Sequence, residues 1–117
     1  MTEPITFYHN PRCSKSRNAL QLLEEKGIQP EVVLYLETPP DAATLSTIVR
    51  KLGIAAHELI RTGEDIYKEA YKGKSMDDTG WIEAMVTHPR LIERPIAIRG
   101  DRAVIGRPPE NVLSLVD

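Results

Sequence analysis

A chain of 117 residues and 13.1 kDa has the length of one domain, and its 41% hydrophobic and 27% charged residues are those of an ordinary globular protein rather than a disordered or low-complexity one. Fifteen basic and seventeen acidic residues leave a formal charge of -2, which argues against nucleic acid or an anionic membrane as a partner and requires any anion site to be local. No apolar run approaches the roughly 18 residues that span a bilayer, the start MTEPITFYH lacks a secretory pattern, and a single cysteine forms no internal disulfide, so a cytoplasmic protein with a free thiol is expected.

PITFYH, residues 4 to 9, alternates through Ile5 and Phe7 and reads as a short strand. It leads into HNPRCSKSRNAL, where Ala19, Leu20, Leu22 and Leu23 fall at helical spacing and Gly27 stops the run. The thiol of Cys13 therefore sits at the amino end of a helix. EVVLYL, β-branched and bounded by Pro30 and the ETPPD turn, reads as a buried strand, and strand, helix, strand predicts a parallel βαβ unit. Thr38 with Pro39 and Pro40 marks a helix start, with Ala42, Leu45, Ile48, Val49 and Leu52 along one face up to Gly53. AHELIR, EDIYKEAY and SMDDTGWIEAMVTH read as short helices, the last capped by Ser75, with Trp81, Ile82, Met85 and Val86 inward and Pro89 as its stop. Two short strands around Gly100 and Asp101 and a closing helix from near Pro108 complete the chain. The expected fold is α/β: a thioredoxin-like (glutaredoxin-like) mixed sheet in the order βαβ, helical insertion, ββα, forming one domain over residues 1–117 with the insertion at approximately 39–89.

Near pH 7 a free cysteine with a pKa of about 8.5 is only a few per cent thiolate, so a nucleophilic role needs positive potential. A helix amino terminus supplies part of it, and Arg12, Lys15, Arg17 and a protonated His9 are candidates for the rest. Ser16, one turn beyond Cys13, is a candidate hydrogen-bond donor to the sulfur. Against this stands the common fate of a lone cysteine as a small buried hydrophobe, which a polar, basic strand-to-helix loop does not suit. His9 has a second reading, a strand-end histidine bonded to the backbone, and Arg12 and Arg17 face either an anion or solvent. Because the C-x-x-C motif is replaced by Cys13-Ser14-Lys15-Ser16, any second thiol comes from elsewhere. An arginine four residues after the cysteine is too early for the cradle of a tyrosine phosphatase. Arg61, Arg94 and Arg107 each stand at the end of an element; singly they read as solvated, but together they suit a tetrahedral oxyanion, whose oxygens match paired guanidinium donors. His57 and His88 lack a second ligand type at a metal-binding spacing, so no metal is expected.

HNPRCSKSRNAL, VVLYLETPP, LIR, LIERPI and GRPPE, in that order and spread over almost the full length, closely resemble the arsenate reductase family that works with glutathione and glutaredoxin. The resemblance implies a thioredoxin-like fold with a helical insertion, Cys13 as nucleophile, His9 assisting its ionisation, and Arg61, Arg94 and Arg107 binding the arsenate oxygens. It further implies a cis peptide before Pro95, no bound cofactor, glutathione as co-substrate and glutaredoxin as partner. Residue 12 departs from the pattern, being a bulky arginine where some members carry a small residue. Two other readings compete. A glutathione-dependent thiol oxidoreductase or deglutathionylase would use Cys13 on a mixed disulfide, but would not require the three arginines. A regulator of the Spx type, binding RNA polymerase, shares the fold, but many of those carry the C-x-x-C switch that Ser16 removes here.

Overall fold

The structure, a computed structural model, describes residues 4–116. They form two compact units, one of residues 4–38 and 94–116 and the other Pro39–Glu93. The first holds a four-stranded sheet of β1 (Thr6–Tyr8), β2 (Glu31–Val33), β3 (Ile96–Arg99) and β4 (Arg102–Ile105) in the order β2-β1-β3-β4. β1 and β2 are parallel, as the α1 crossover (Ser14–Glu25) between them allows, while β3 runs antiparallel to both β1 and β4. The alternation expected of β1 turns Phe7 into the core, and it pairs with Val32 on one side and Ala97 on the other. Ala19 and Leu23 of α1 join Ile5, Phe7, Ala97, Val112 and Leu115 in one buried cluster. α1 ends through Gly27, whose positive φ of 76° lets its N–H reach the Glu24 carbonyl.

Several boundaries differ from the sequence reading. β1 is shorter than residues 4–9, and only Glu31–Val33 of EVVLYL is strand. The N–H groups of Glu37 and Thr38 both close on the Leu34 carbonyl, so the run curls into a turn; Val32 on the edge strand β2 and Leu36 in that turn are each 42% exposed. The closing helix is a 3-10 helix over Pro109–Leu115.

In the second unit α2 (Ala42–Leu52) starts after Asp41 rather than at Thr38, because the Asp41 carboxylate accepts the Thr44 N–H at 2.8 Å; Gly53 ends it at φ 70°. For the same reason α3 (Asp78–Thr87) is capped by Asp77, which accepts from the Gly80 N–H at 2.9 Å, and not by Ser75. AHELIR supplies a 3-10 turn at Ala56–Leu59, and EDIYKEAY a π-helical turn at Tyr67–Tyr71 whose rings lie 6.3 Å (Tyr67) and 6.1 Å (Tyr71) from Trp81. Trp81, Ile82 and Met85 are buried as expected, while Val86 is half-buried. The expected insertion, 39–89, falls within this unit, which extends to Glu93. No helix among the described residues is long and apolar enough to cross a membrane.

Candidate active site around the single thiol

Cys13 is the N-cap residue of α1, with extended backbone (φ -96°, ψ 122°) and a half-buried side chain. Its carbonyl accepts the Arg17 N–H at 3.0 Å, the first turn of the helix, and its own N–H closes a turn onto Asn10 at 3.0 Å. The sulfur is thereby carried at the positive end of a helix dipole whose first turn contains no acidic residue.

Across from it stands the segment around β3 and β4. Arg107 Nη2 lies 3.8 Å from Cys13 Sγ, and Arg107 Nε donates to the Arg94 carbonyl at 2.8 Å. These residues are 94 positions apart in the chain, and the sheet joins them. Both Arg94-Pro95 and Arg107-Pro108 are cis; the second had no counterpart in the sequence reading. Pro95 is buried, and its carbonyl accepts the Gly106 N–H at 2.8 Å. A Cβ on Gly106 would sit 2.6 Å from Pro95 Cγ, so glycine is required for the two arginine-bearing loops to lie together. Gly106 was not singled out in the sequence; the available signal was a glycine directly before an Arg-Pro pair.

His9 and Ser16 are brought together, though not as the sequence suggested. Ser16 Oγ shares a 2.7 Å hydrogen bond with His9 Nδ1 and accepts the Asn10 N–H at 3.1 Å; neither bond is to the Cys13 sulfur. Burial, and secondarily the Arg17 cation, hold the His9 imidazole below its ordinary pKa, so near pH 7 it is neutral and is not the fixed charge beside the thiol that a protonated His9 would be. Its place is inside the loop, buried with Ser16, fixing the turn that presents the cysteine. Asn10 and Arg17 complete that turn: Asn10 Oδ1 accepts the Arg12 N–H at 3.0 Å, and Arg17 Nη1 donates to the Pro11 carbonyl at 2.8 Å. Arg17 thus serves the loop backbone.

Arg61 belongs to the helical unit. Its N–H donates to the Leu91 carbonyl at 2.7 Å, and its guanidinium meets Glu64 at 3.1 Å and Glu93 at 3.8 Å. Among the described residues no group of histidine, cysteine, aspartate and glutamate could hold a metal ion. A thiol at a helix amino terminus with a guanidinium against its sulfur is equipped for nucleophilic attack on an anionic centre.

A mixed sheet of this order, with the single thiol at the first strand-to-helix junction, defines a thioredoxin-like protein. The chain belongs to the ArsC family, whose model matches residues 8–115. It is 54% identical over 118 residues to YfgD of Escherichia coli K12, covering 99% of each chain. An arsenate reductase of Neisseria meningitidis serogroup A is 49% identical over 110 residues, 92% of this chain and 94% of the relative. Among solved structures, an arsenate reductase from Vibrio cholerae superposes with a TM-score of 0.94 at 43% identity, over 99% of this chain and all of that one.

Proposed function

We propose that the protein reduces arsenate to arsenite in the cytoplasm, with Cys13 as nucleophile and glutathione and glutaredoxin as reductants. The observation that carries this reading is the contact between Arg107 and Cys13 Sγ, in a loop tied to Arg94, because it joins a nucleophile to an oxyanion binder. The Cys13 thiolate attacks arsenic(V), forming an S–As bond as one oxygen leaves as water. Arg94 and Arg107 hold the remaining oxygens. Glutathione thiolate then displaces a second oxygen as water and becomes bonded to arsenic. Glutaredoxin thiolate attacks the glutathione sulfur, two electrons pass to arsenic, and a mixed disulfide leaves. Hydrolysis of the remaining S–As(III) bond releases arsenite and regenerates Cys13. His9 and Ser16 act by positioning the thiol loop. Arsenate enters as substrate, and no bound cofactor or metal takes part.

The test is arsenate-dependent NADPH oxidation with glutathione, glutaredoxin and glutathione reductase. Cys13→Ser should abolish turnover with the fold intact, and Arg107→Ala should lower kcat by about 10²–10³, as for loss of an oxyanion donor. Turnover retained by Cys13→Ser would sink the scheme. Exchange with a glutathione mixed disulfide in the absence of any arsenate turnover would replace it with thiol exchange.

A further inference from the structure

The guanidinium that meets the thiol is carried on a loop, and a loop holds a charge in place only where its backbone is fixed. Arg107 lies just beyond the end of β4 at Ile105. Its N–H turns back onto the Ile105 carbonyl at 2.9 Å, and its Nε is held by the Arg94 carbonyl at 2.8 Å. The Gly106 N–H is already given to the Pro95 carbonyl, and Pro108 and Pro109 have no N–H to give, so the local backbone is short of donors. Asn111, in the closing 3-10 helix, supplies them. Its Nδ2 donates to the Ile105 carbonyl at 3.2 Å and to the Arg107 carbonyl at 3.1 Å, so one side-chain amide spans both ends of the turn. Asn111 is itself anchored. Its N–H donates to the Pro108 carbonyl at 3.0 Å, its carbonyl accepts from Ser114 Oγ at 2.9 Å, and the next residue, Val112, is buried in the core of the sheet-bearing unit.

We infer that Asn111 is a positioning residue for the thiol site: by clamping the Ile105 and Arg107 carbonyls it holds the Arg107 guanidinium against the Cys13 sulfur. An arginine side chain gains rotamer freedom when it is released to solvent, so a contact such as the 3.8 Å approach of Nη2 to Sγ persists only where the backbone beneath it stays put. Asn111 is neutral and its amide donates to backbone carbonyls, so what it contributes at the thiol passes through Arg107. The inference deepens the arsenate reductase reading and rests on it for purpose, since the clamp then sets where an oxyanion is held against the nucleophile. Its geometry stands without that reading.

The experiment compares alkylation of Cys13 by iodoacetate and by iodoacetamide, reagents of similar size that differ in charge, at one pH and low ionic strength. Both react with the thiolate, so the ratio of their rate constants cancels the degree of ionisation and reports the positive charge beside the sulfur. Arg107→Ala should lower the ratio. Asn111→Ala should lower it about threefold, the scale of one hydrogen bond, and Asn111→Leu, similar in shape but with no donor, should do the same. Ser114→Ala removes a bond within the same helix without touching the Arg107 turn, and should leave the ratio unchanged. Added to Arg107→Ala, Asn111→Ala should produce no further fall. All variants are compared in the native baseline of their urea unfolding curves. An unchanged ratio in both Asn111 variants, an equal fall in Ser114→Ala, or a further fall in the double variant would overturn the positioning role. Because the readout contains no arsenate, the two readings fail separately. Charge selectivity lost with Asn111 in a protein inert toward arsenate would remove the reductase reading alone, and arsenate turnover with selectivity indifferent to Asn111 would remove the positioning role alone.

Discussion

In the sheet-bearing unit the core is assembled from opposite ends of the chain, Phe7 and Leu23 meeting Ala97, Val112 and Leu115, whereas the helical unit is one continuous stretch, Pro39–Glu93, whose helices are capped by residues next to them. There Asp41 caps the helix that begins at the next residue, Asp77 does the same, and Glu58 accepts the N–H of Ala55 three residues back. The difference bears on chemistry as well as packing. The Cys13–Arg107 contact can exist only once β1, β3 and β4 have paired, so the geometry around the thiol is a product of long-range order. Arg61 is held inside the helical unit, by Glu64 one turn on and by Glu93 at the end of the same continuous stretch. A lesion to the sheet core should therefore disorder the thiol site, while a lesion to a helix cap should stay where it is made.

The sharpest way to break that contrast is Phe7→Ala, which empties the fully buried centre of β1 and should destabilise the protein by about 3–5 kcal/mol in urea unfolding. It should also expose Cys13 to rapid alkylation; an unchanged alkylation rate would separate the site from the sheet core. Gly106→Ala comes next. Its new methyl meets the Pro95 ring, for an expected cost of about 1–3 kcal/mol, and turnover should fall more than stability alone explains because the Arg94 and Arg107 loops are pushed apart. Asp77→Ala removes the α3 cap for about 1 kcal/mol and should speed amide exchange in Gly80 and Trp81 while leaving Cys13 alkylation unchanged. The smallest effect is the pH dependence carried by His9. Its folded pKa lies below the unfolded value of about 6.5, so the unfolded chain binds more protons, and the contribution is fully present above that value and lost as pH falls through the folded pKa. His9→Asn should flatten the stability profile on the acid side of neutrality; an unaltered slope would show that His9 does not carry it.

Much of this molecule can be read without coordinates, for reasons that differ between elements. The apolar spacing of Ala19 and Leu23, the glycine stops at Gly27 and Gly53, and the hairpin around Gly100 and Asp101 are local signals, and each marks an element that is present. EVVLYL misled because an apolar, β-branched run has the same composition whether it is a buried strand or an edge that turns away; its Leu34 carbonyl is claimed by Glu37 and Thr38. The caps at Asp41 and Asp77 were displaced from Thr38 and Ser75 because a carboxylate two or three residues further on competes for the same orphan N–H groups. At the site, the position of Cys13 at a helix start was legible in its own loop. His9 was legible as a neighbour but not in its charge state, since burial with Ser16 and the nearness of Arg17 are properties of the folded loop.

By itself the sequence determined the element order, the family, the lone thiol at a helix amino terminus and the arginines that accompany it, because these depend on residue identity and short-range spacing. Only the tertiary structure decided that Arg107 touches the sulfur, that Ser16 is hydrogen-bonded to His9, and that Arg12 and Glu37 face one cavity. Each of those facts is a distance between groups whose separation is set by strand pairing and turn closure, and such distances are absent from any local pattern along the chain.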